Sequence, residues 1–201
     1  MDAMKRRMLA GEWYLDDTPG LESDRMRCQE LVAQYNATAP AAAGERRRLL
    51  GELLGGLGED VDIRPPVFFD YGHQTTVGDR TFINAGVTIL DVGRVTIGAE
   101  VQIGPGVQLL TPTHPLDPAR RRAGWEAQKP IVIEDGVWLG GGVIVFGKLL
   151  RGPDGTAAEL GHLVVQRDGR KSTSPARGAS SSSRLILATC GRTKPSPPAR
   201  P

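Results

Sequence analysis

A six-residue period constrains this chain more than any other feature of its sequence. Read in sixes from Val77, the sequence runs VGDRTF, INAGVT and ILDVGR, then, past Val95-Thr96, IGAEVQ, IGPGVQ and LLTPTH. A long interruption at 115–132 follows, and after it come IEDGVW, LGGGVI and VFGKLL. All nine hexads open on Val, Ile or Leu. The fifth place holds Thr81, Val87, Val101, Val107, Thr113, Val137, Val143 or Leu149, and only Gly93 departs. The interruption keeps phase, because Leu109 to Ile133 is 24 residues, four sixes. It therefore reads as a loop extruded from a continuing coil.

A β-helix turns its chain through flat faces about one hexad long, with a branched aliphatic filling the inside of each face. Gly78, Asn84, Gly98, Gly104 and Gly140 follow the opening aliphatic; they are expected at corners, where a small or φ-permissive residue is needed. Ordinary β-hairpins also favour Gly and Val, but they would not hold one period through nine units. The pattern predicts a mainly β protein, a parallel β-helix of about three turns.

Residues 1–60 have a different texture, with three short helical segments. Asp2 to Ala10 ends at Gly11; Ser23 is placed to cap a second helix reaching Asn36, with Met26, Cys28, Leu31, Val32 and Tyr35 on one face; Glu45 to Leu54 closes at Gly55-Gly56. Helices this short need a surface to pack on. The period is lost after Leu150, and residues 171–201 hold seven Ser and five Pro, including the run Ser180 to Ser183. The organisation expected is therefore a helical segment over 1–60, the coil over 61–150, and an irregular, disordered tail over 151–201.

The formal charge of +2 divides unevenly. Residues 171–201 carry six Lys/Arg and no acid, which leaves 19 basic against 23 acidic groups before them. The basic balance belongs to the tail, so it does not argue for nucleic-acid binding, and aromatics for stacking on bases are lacking. No run of eighteen apolar residues suggests a membrane span, and no apolar core follows Met1 to Arg7 as a secretory signal would require. Cys28 and Cys190 make neither a disulfide framework nor a metal knuckle, and a cytoplasmic protein with reduced thiols is expected. His73, His114 and His162 lack ligand-like spacing, which disfavours a zinc-dependent β-helix enzyme, so no metal is expected.

Certain residues carry more than architecture: MLAGEWY at 8–14, Phe82-Ile83-Asn84 before Ile89-Leu90-Asp91, TPTHPLDP at 111–118, and Lys129-Pro130-Ile131 with VWLGG at 137–141. On these the sequence resembles the maltose and galactoside O-acetyltransferase family of hexapeptide-repeat, left-handed β-helix acyltransferases, over roughly residues 4–147. The resemblance implies acetyl transfer from acetyl-CoA, the co-substrate, to a hydroxyl of a sugar-like small acceptor. It aligns His114 with the family's catalytic histidine. An imidazole, ordinarily near pKa 6.5, can take a hydroxyl proton as attack on the thioester begins.

By the same resemblance Asn84 matches an acceptor-site asparagine, a role compatible with a coil corner. Asp16, with better spacing than Asp17, matches an acceptor-contacting carboxylate, and solvation of a helix end is its plainer role. Asp70 lies where some members have a polar acceptor contact. Asp91 either fixes the site's geometry or is a corner carboxylate. Trp138, Gly140 and Gly141 match the upstream part of a groove that holds the pantetheine arm between subunits of a homotrimer, although Trp138 serves equally as packing. The Arg120-Arg121-Arg122 run either attracts coenzyme A phosphates or keeps the loop in water. Past residue 147 the family's further hexads are missing, and the alternative function is that of a catalytically impaired relative.

Overall fold

The computed structural model describes residues 2–140 together with the backbone of two strands at 143–145 and 148–149. The tail at 151–201 and Gly141 lie outside the described residues. Helix α1 (Ala3–Leu9) starts at Asp2, whose carboxylate accepts the Met4 N–H at 3.0 Å. Strand β1 (Tyr14–Leu15) follows, then α2 (Pro19–Asn36) and α3 (Ala43–Leu53). Helix α2 begins before Ser23, the expected cap. Thr18 holds that position, and the fixed φ of Pro19 suits the first helical turn. Its buried stripe is Leu21, Cys28, Leu31, Val32 and Tyr35. Met26, expected there, is exposed, because it lies about 140° around the helix from Leu21 at 3.6 residues per turn.

Twelve short strands then wind through three sheets in strict rotation. The first turn is β2 (Gly56–Leu57), β3 (Asp62–Ile63) and β4 (Val67–Phe69). The second is β5 (Thr75–Val77), β6 (Phe82–Ile83) and β7 (Val87–Leu90), and the third is β8 (Val95–Ile97), β9 (Gln102–Ile103) and β10 (Gln108–Leu110). An excursion carries β11 (Pro112–Thr113), α4 (Pro118–Arg122) and β12 (Trp125–Gln128). The fourth turn is β13 (Ile131–Ile133), β14 (Trp138–Leu139) and β15 (Val143–Val145), on which β16 (Lys148–Leu149) folds back antiparallel.

The three sheets are β2-β5-β8-β13, β3-β6-β9-β14 and β4-β7-β10-β15, parallel but for β16 at the end of the third. Leu57 stacks on Val77 and Ile97, Ile63 on Ile83 and Ile103, and Phe69 on Ile89 and Leu109, a step of 20 residues. The fourth turn meets the third at Ile97 and Ile133, so the coil continues unbroken beneath the excursion. First and fifth hexad places within the coil point inward as expected, whereas Thr113 leaves on the excursion and is half-buried; Val87, Ile89, Val101, Ile103, Val107 and Leu109 are all essentially inaccessible. Fully burying each such side chain is worth about 1.5–3 kcal/mol.

The coil differs from expectation at two points. It starts at Gly56, ahead of the expected 61, and makes four turns among the described residues where nine hexads implied about three. Gly55 and Gly56, expected to close α3, belong to it, and the Gly55 N–H donates to Thr75 O at 2.9 Å. The positions with left-handed backbone are also elsewhere: Gly86, Gly106 and Gly136 have φ of 77°, 68° and 67°, and the non-glycines Asp60, Arg80 and Glu100 have φ of 54°, 54° and 58°. Gly78 is small for another reason. A Cβ there would lie 2.6 Å from the backbone of Gly98 and Ala99 on the next turn.

Helices α2 and α3 plug the start of the coil. Tyr35, Leu49, Leu50, Leu53 and Leu54 share one core with Ile63, Val67 and Val77. Asn36 pairs with the outer edge of β4, its Nδ2 donating to Val67 O and its Oδ1 accepting the Val67 N–H, both at 2.9 Å. That satisfies an otherwise open strand edge. No helix among the described residues is long and apolar enough to cross a membrane.

Candidate active site

The excursion and the N-terminal segment meet in a small antiparallel sheet, ordered β1-β12-β11. Thr113 faces Ala127, and Tyr14 faces Glu126. His114, the next residue after β11, is thereby set beside Glu126, with Nε2 3.9 Å from Oε1. The histidine side chain is 58% exposed and that of Glu126 only 12%. The second carboxylate oxygen of Glu126 accepts the Tyr14 hydroxyl at 2.6 Å. Burial pushes Glu126 above the usual carboxylate range, against the pull of the Tyr14 hydrogen bond. Burial, reinforced by the charge of Glu126, raises the Tyr14 phenol far above its ordinary value, so its hydroxyl remains a donor.

Asp16 lies just past β1 and is clamped from α2. Arg25 donates to its carboxylate and, at 3.3 Å, to its carbonyl. The same guanidinium donates to the Tyr71 hydroxyl at 3.0 Å, and that hydroxyl donates back to Asp16 at 3.4 Å. Asp70 follows β4 in the same electrostatic neighbourhood, with no side-chain hydrogen bond among the described residues. Burial, and next the charges of Asp91 and Glu126, push it up to about 6.

A carboxyl whose folded value exceeds its unfolded one holds its proton more tightly in the native state. Its contribution to stability is full below about pH 4 and is lost as pH rises through about 6. Asp70→Asn is therefore expected to raise unfolding free energy by about 1–2 kcal/mol at pH 8, after allowance for screening. It should give no gain at pH 4. Urea titration at the two pH values measures this difference.

Asp91 occupies the corner after β7 and is completely buried. Its Oδ1 accepts the Tyr71 N–H and its Oδ2 the Thr75 hydroxyl, both at 2.9 Å. With no exposed surface it reaches no acceptor directly; it fits the corner role and holds Tyr71. Asn84 lies before β7 while Asp91 lies after it, and the four-residue strand between them spans about 13 Å. The Asn84 Oδ1 accepts the Ala85 N–H at 2.9 Å. Trp138 stands 62% exposed on the outside of β14. The bare face of Gly140 lies beside it, where a Cβ would come within 3.0 Å of the indole.

Sequence reasoning missed Glu126, Tyr14, Arg25 and Tyr71. The arginine run in the loop also has a structural use: Arg121 donates to the carbonyls of Pro115 at 3.0 Å and Leu116 at 3.3 Å, holding the chain just past His114.

A three-sided coil of six-residue repeats, capped by helices and carrying a histidine on an excursion, has the architecture of the hexapeptide-repeat acetyltransferases. The maltose acetyltransferase hexapeptide capping motif matches residues 7–58. The ROK family matches residues 122–184, of which the described part holds β12 of the excursion and the fourth turn of the coil. Nodulation protein L of Rhizobium meliloti (strain 1021) is 39% identical over 142 residues, 71% of this chain and 78% of the relative. Galactoside O-acetyltransferase of Escherichia coli (strain K12) is 34% identical over 142 residues, 71% of this chain and 70% of the relative. A hexapeptide-repeat-containing acetyltransferase from Vibrio cholerae matches with a TM-score of 0.66 at 39% identity, over 71% of this chain and 78% of that one. A galactoside acetyltransferase in complex with coenzyme A matches with a TM-score of 0.62 at 30% identity, over 72% and 79%. The chain belongs to the maltose and galactoside O-acetyltransferase family.

Proposed function

We propose that this chain moves an acetyl group from acetyl-CoA to a hydroxyl of a sugar-like small acceptor, with His114 as general base. The observation that carries the reading is the row Tyr14–Glu126–His114 beside the Asp16–Arg25–Tyr71 clamp and Asp70. An exposed imidazole backed by a buried carboxylate can remove a hydroxyl proton. A carboxylate and guanidinium that act electrostatically on Glu126 can orient the rest of a polyol.

The acceptor oxygen, giving its proton to His114, attacks the thioester carbonyl. Collapse of the tetrahedral adduct breaks the C–S bond, and the leaving thiolate takes the proton from the imidazolium. Atoms and charge balance without an acyl-enzyme. The exposed Trp138 ring and the bare Gly140 beside it offer a flat surface for the pantetheine arm, a fit with coenzyme A. We further propose a left-handed coil, a homotrimer, a place for Asn84 at the acceptor site, and a cytoplasmic location.

Release of free thiol from acetyl-CoA, followed with and without a panel of mono- and disaccharides, tests the reading. Acceptor-dependent release supports it. Thiol release that no hydroxyl acceptor stimulates would instead fit the catalytically impaired relative.

A further inference from the structure

The N-terminal strand β1 is only two residues long, yet it places one phenol at the back of the proposed site. Tyr14 is wholly buried, its ring packed with Met8, Leu21, Tyr71 and Val92. The ring accounts for that packing, but the hydroxyl does something separate. It donates at 2.6 Å to Oε2 of Glu126, a residue 112 positions along the chain. The other oxygen, Oε1, is the one that faces His114.

A carboxylate bound through one oxygen to a fixed donor has lost its freedom to rotate, so its second oxygen points one way. We propose that Tyr14 is a positioning residue, whose hydroxyl claims one oxygen of Glu126 and thereby aims the other at His114. The inference rests on His114 being the base. It goes beyond that role by making the N-terminal segment part of the proton-transfer machinery as well as a cap on the coil.

The charged and titratable groups around Glu126 come from several elements. They are Tyr14 on β1, Asp16 after it, Arg25 on α2, Asp70 after β4 and His114 after β11. Tyr14 and Arg25 favour the ionised carboxylate, as does His114 when protonated, while Asp16 and Asp70 oppose it. Removing the hydroxyl withdraws the closest neutral donor and leaves the opposing charges in place. Glu126 then holds a proton to higher pH. Once protonated, it no longer stabilises an imidazolium.

The test is Tyr14→Phe, which keeps the buried ring. Expected are a kcat lowered about tenfold, the loss of one hydrogen bond to a charged group, and an acceptor KM within about twofold. The acidic limb of kcat/KM should move up by about half a pH unit or more. A purely structural tyrosine would lower the folded fraction without moving that limb, so an unmoved limb overturns the proposal. In a Glu126→Gln background, where the side chain cannot ionise, Tyr14→Phe should shift the limb no further; an equal shift there also overturns it. His114→Ala separates the two levels. If that variant keeps full activity, the base reading fails and this inference with it. If it is inactive while the Tyr14→Phe profile is unchanged, only the role of Tyr14 is lost.

Discussion

His114→Ala is expected to lower kcat by about 10²–10⁴-fold, the usual contribution of a positioned general base. The protein should fold as before. The imidazole is 58% exposed, and its contact with the Glu126 carboxylate spans 3.9 Å. Truncating an exposed side chain of that kind changes stability by about 0.5 kcal/mol or less. KM for acetyl-CoA should stay within a few-fold, because the surface assigned to the pantetheine arm lies at Trp138 and Gly140, on the outer face of a coil strand. Loss of kcat with KM and melting temperature held is the signature of a group used only in the transition state. Thiol release at saturating acetyl-CoA, paired with a thermal melt of the same preparation, reads all three quantities. Activity within tenfold of the parent would move the base elsewhere; Asp70, pushed up to about 6 by burial and neighbouring carboxylates, would be the next group to replace.

The coil was legible because its core imposes a period that no loop disguises. Ile97, Ile103 and Leu109 each start a face, and each stacks on a residue 20 positions earlier. The first turn obeys the same rule, at Leu57, Ile63 and Phe69. It escaped notice because an aromatic replaces the aliphatic at 69 and Pro65-Pro66 fills the place of a small corner residue. Left-handed backbone falls on glycines at Gly72, Gly86, Gly106 and Gly136, but two further left-handed corners were illegible. Arg80 and Glu100 adopt positive φ although their residue types do not favour it. Their side chains pair across adjacent turns at 2.9 Å, a contact visible only once the turns are stacked.

The site divides in the same way. His114 was a candidate through the resemblance carried by TPTHPLDP at 111–118, and Asp16 through its distance to Trp13-Tyr14. Glu126 and Arg25 were not, since nothing local distinguishes one loop glutamate or one helix arginine from the others. They become functional candidates through the antiparallel pairing of β1 with β12 and the docking of α2, which are long-range events. Asp91 is the intermediate case, a carboxylate in the right motif whose surroundings alone decide between site and scaffold.

That difference gives the second large effect. Asp91→Ala is expected to destabilise the protein by about 3 kcal/mol at neutral pH. The substitution strands two buried donors, the Tyr71 N–H and the Thr75 hydroxyl, each costing about 1–3 kcal/mol when left without a partner. Asp91→Asn keeps one carbonyl oxygen for Tyr71, and the Thr75 hydroxyl can rotate, so its cost should be about 1 kcal/mol or less. Burial, the largest influence on Asp91, holds its carboxyl above the ordinary range despite its hydrogen bonds. The parent's advantage over the alanine variant is therefore greatest in acid and shrinks as pH rises from about 4, the sense required when the native state binds the proton more tightly. Urea titrations at pH 4 and 7 measure both the size and the sign. Because Asp91 anchors the backbone of Tyr71, whose hydroxyl bridges Arg25 and Asp16, acceptor KM should rise along with the loss of stability while kcat holds. A fall in kcat with stability unmoved would mean instead that this carboxylate works at the reacting atoms.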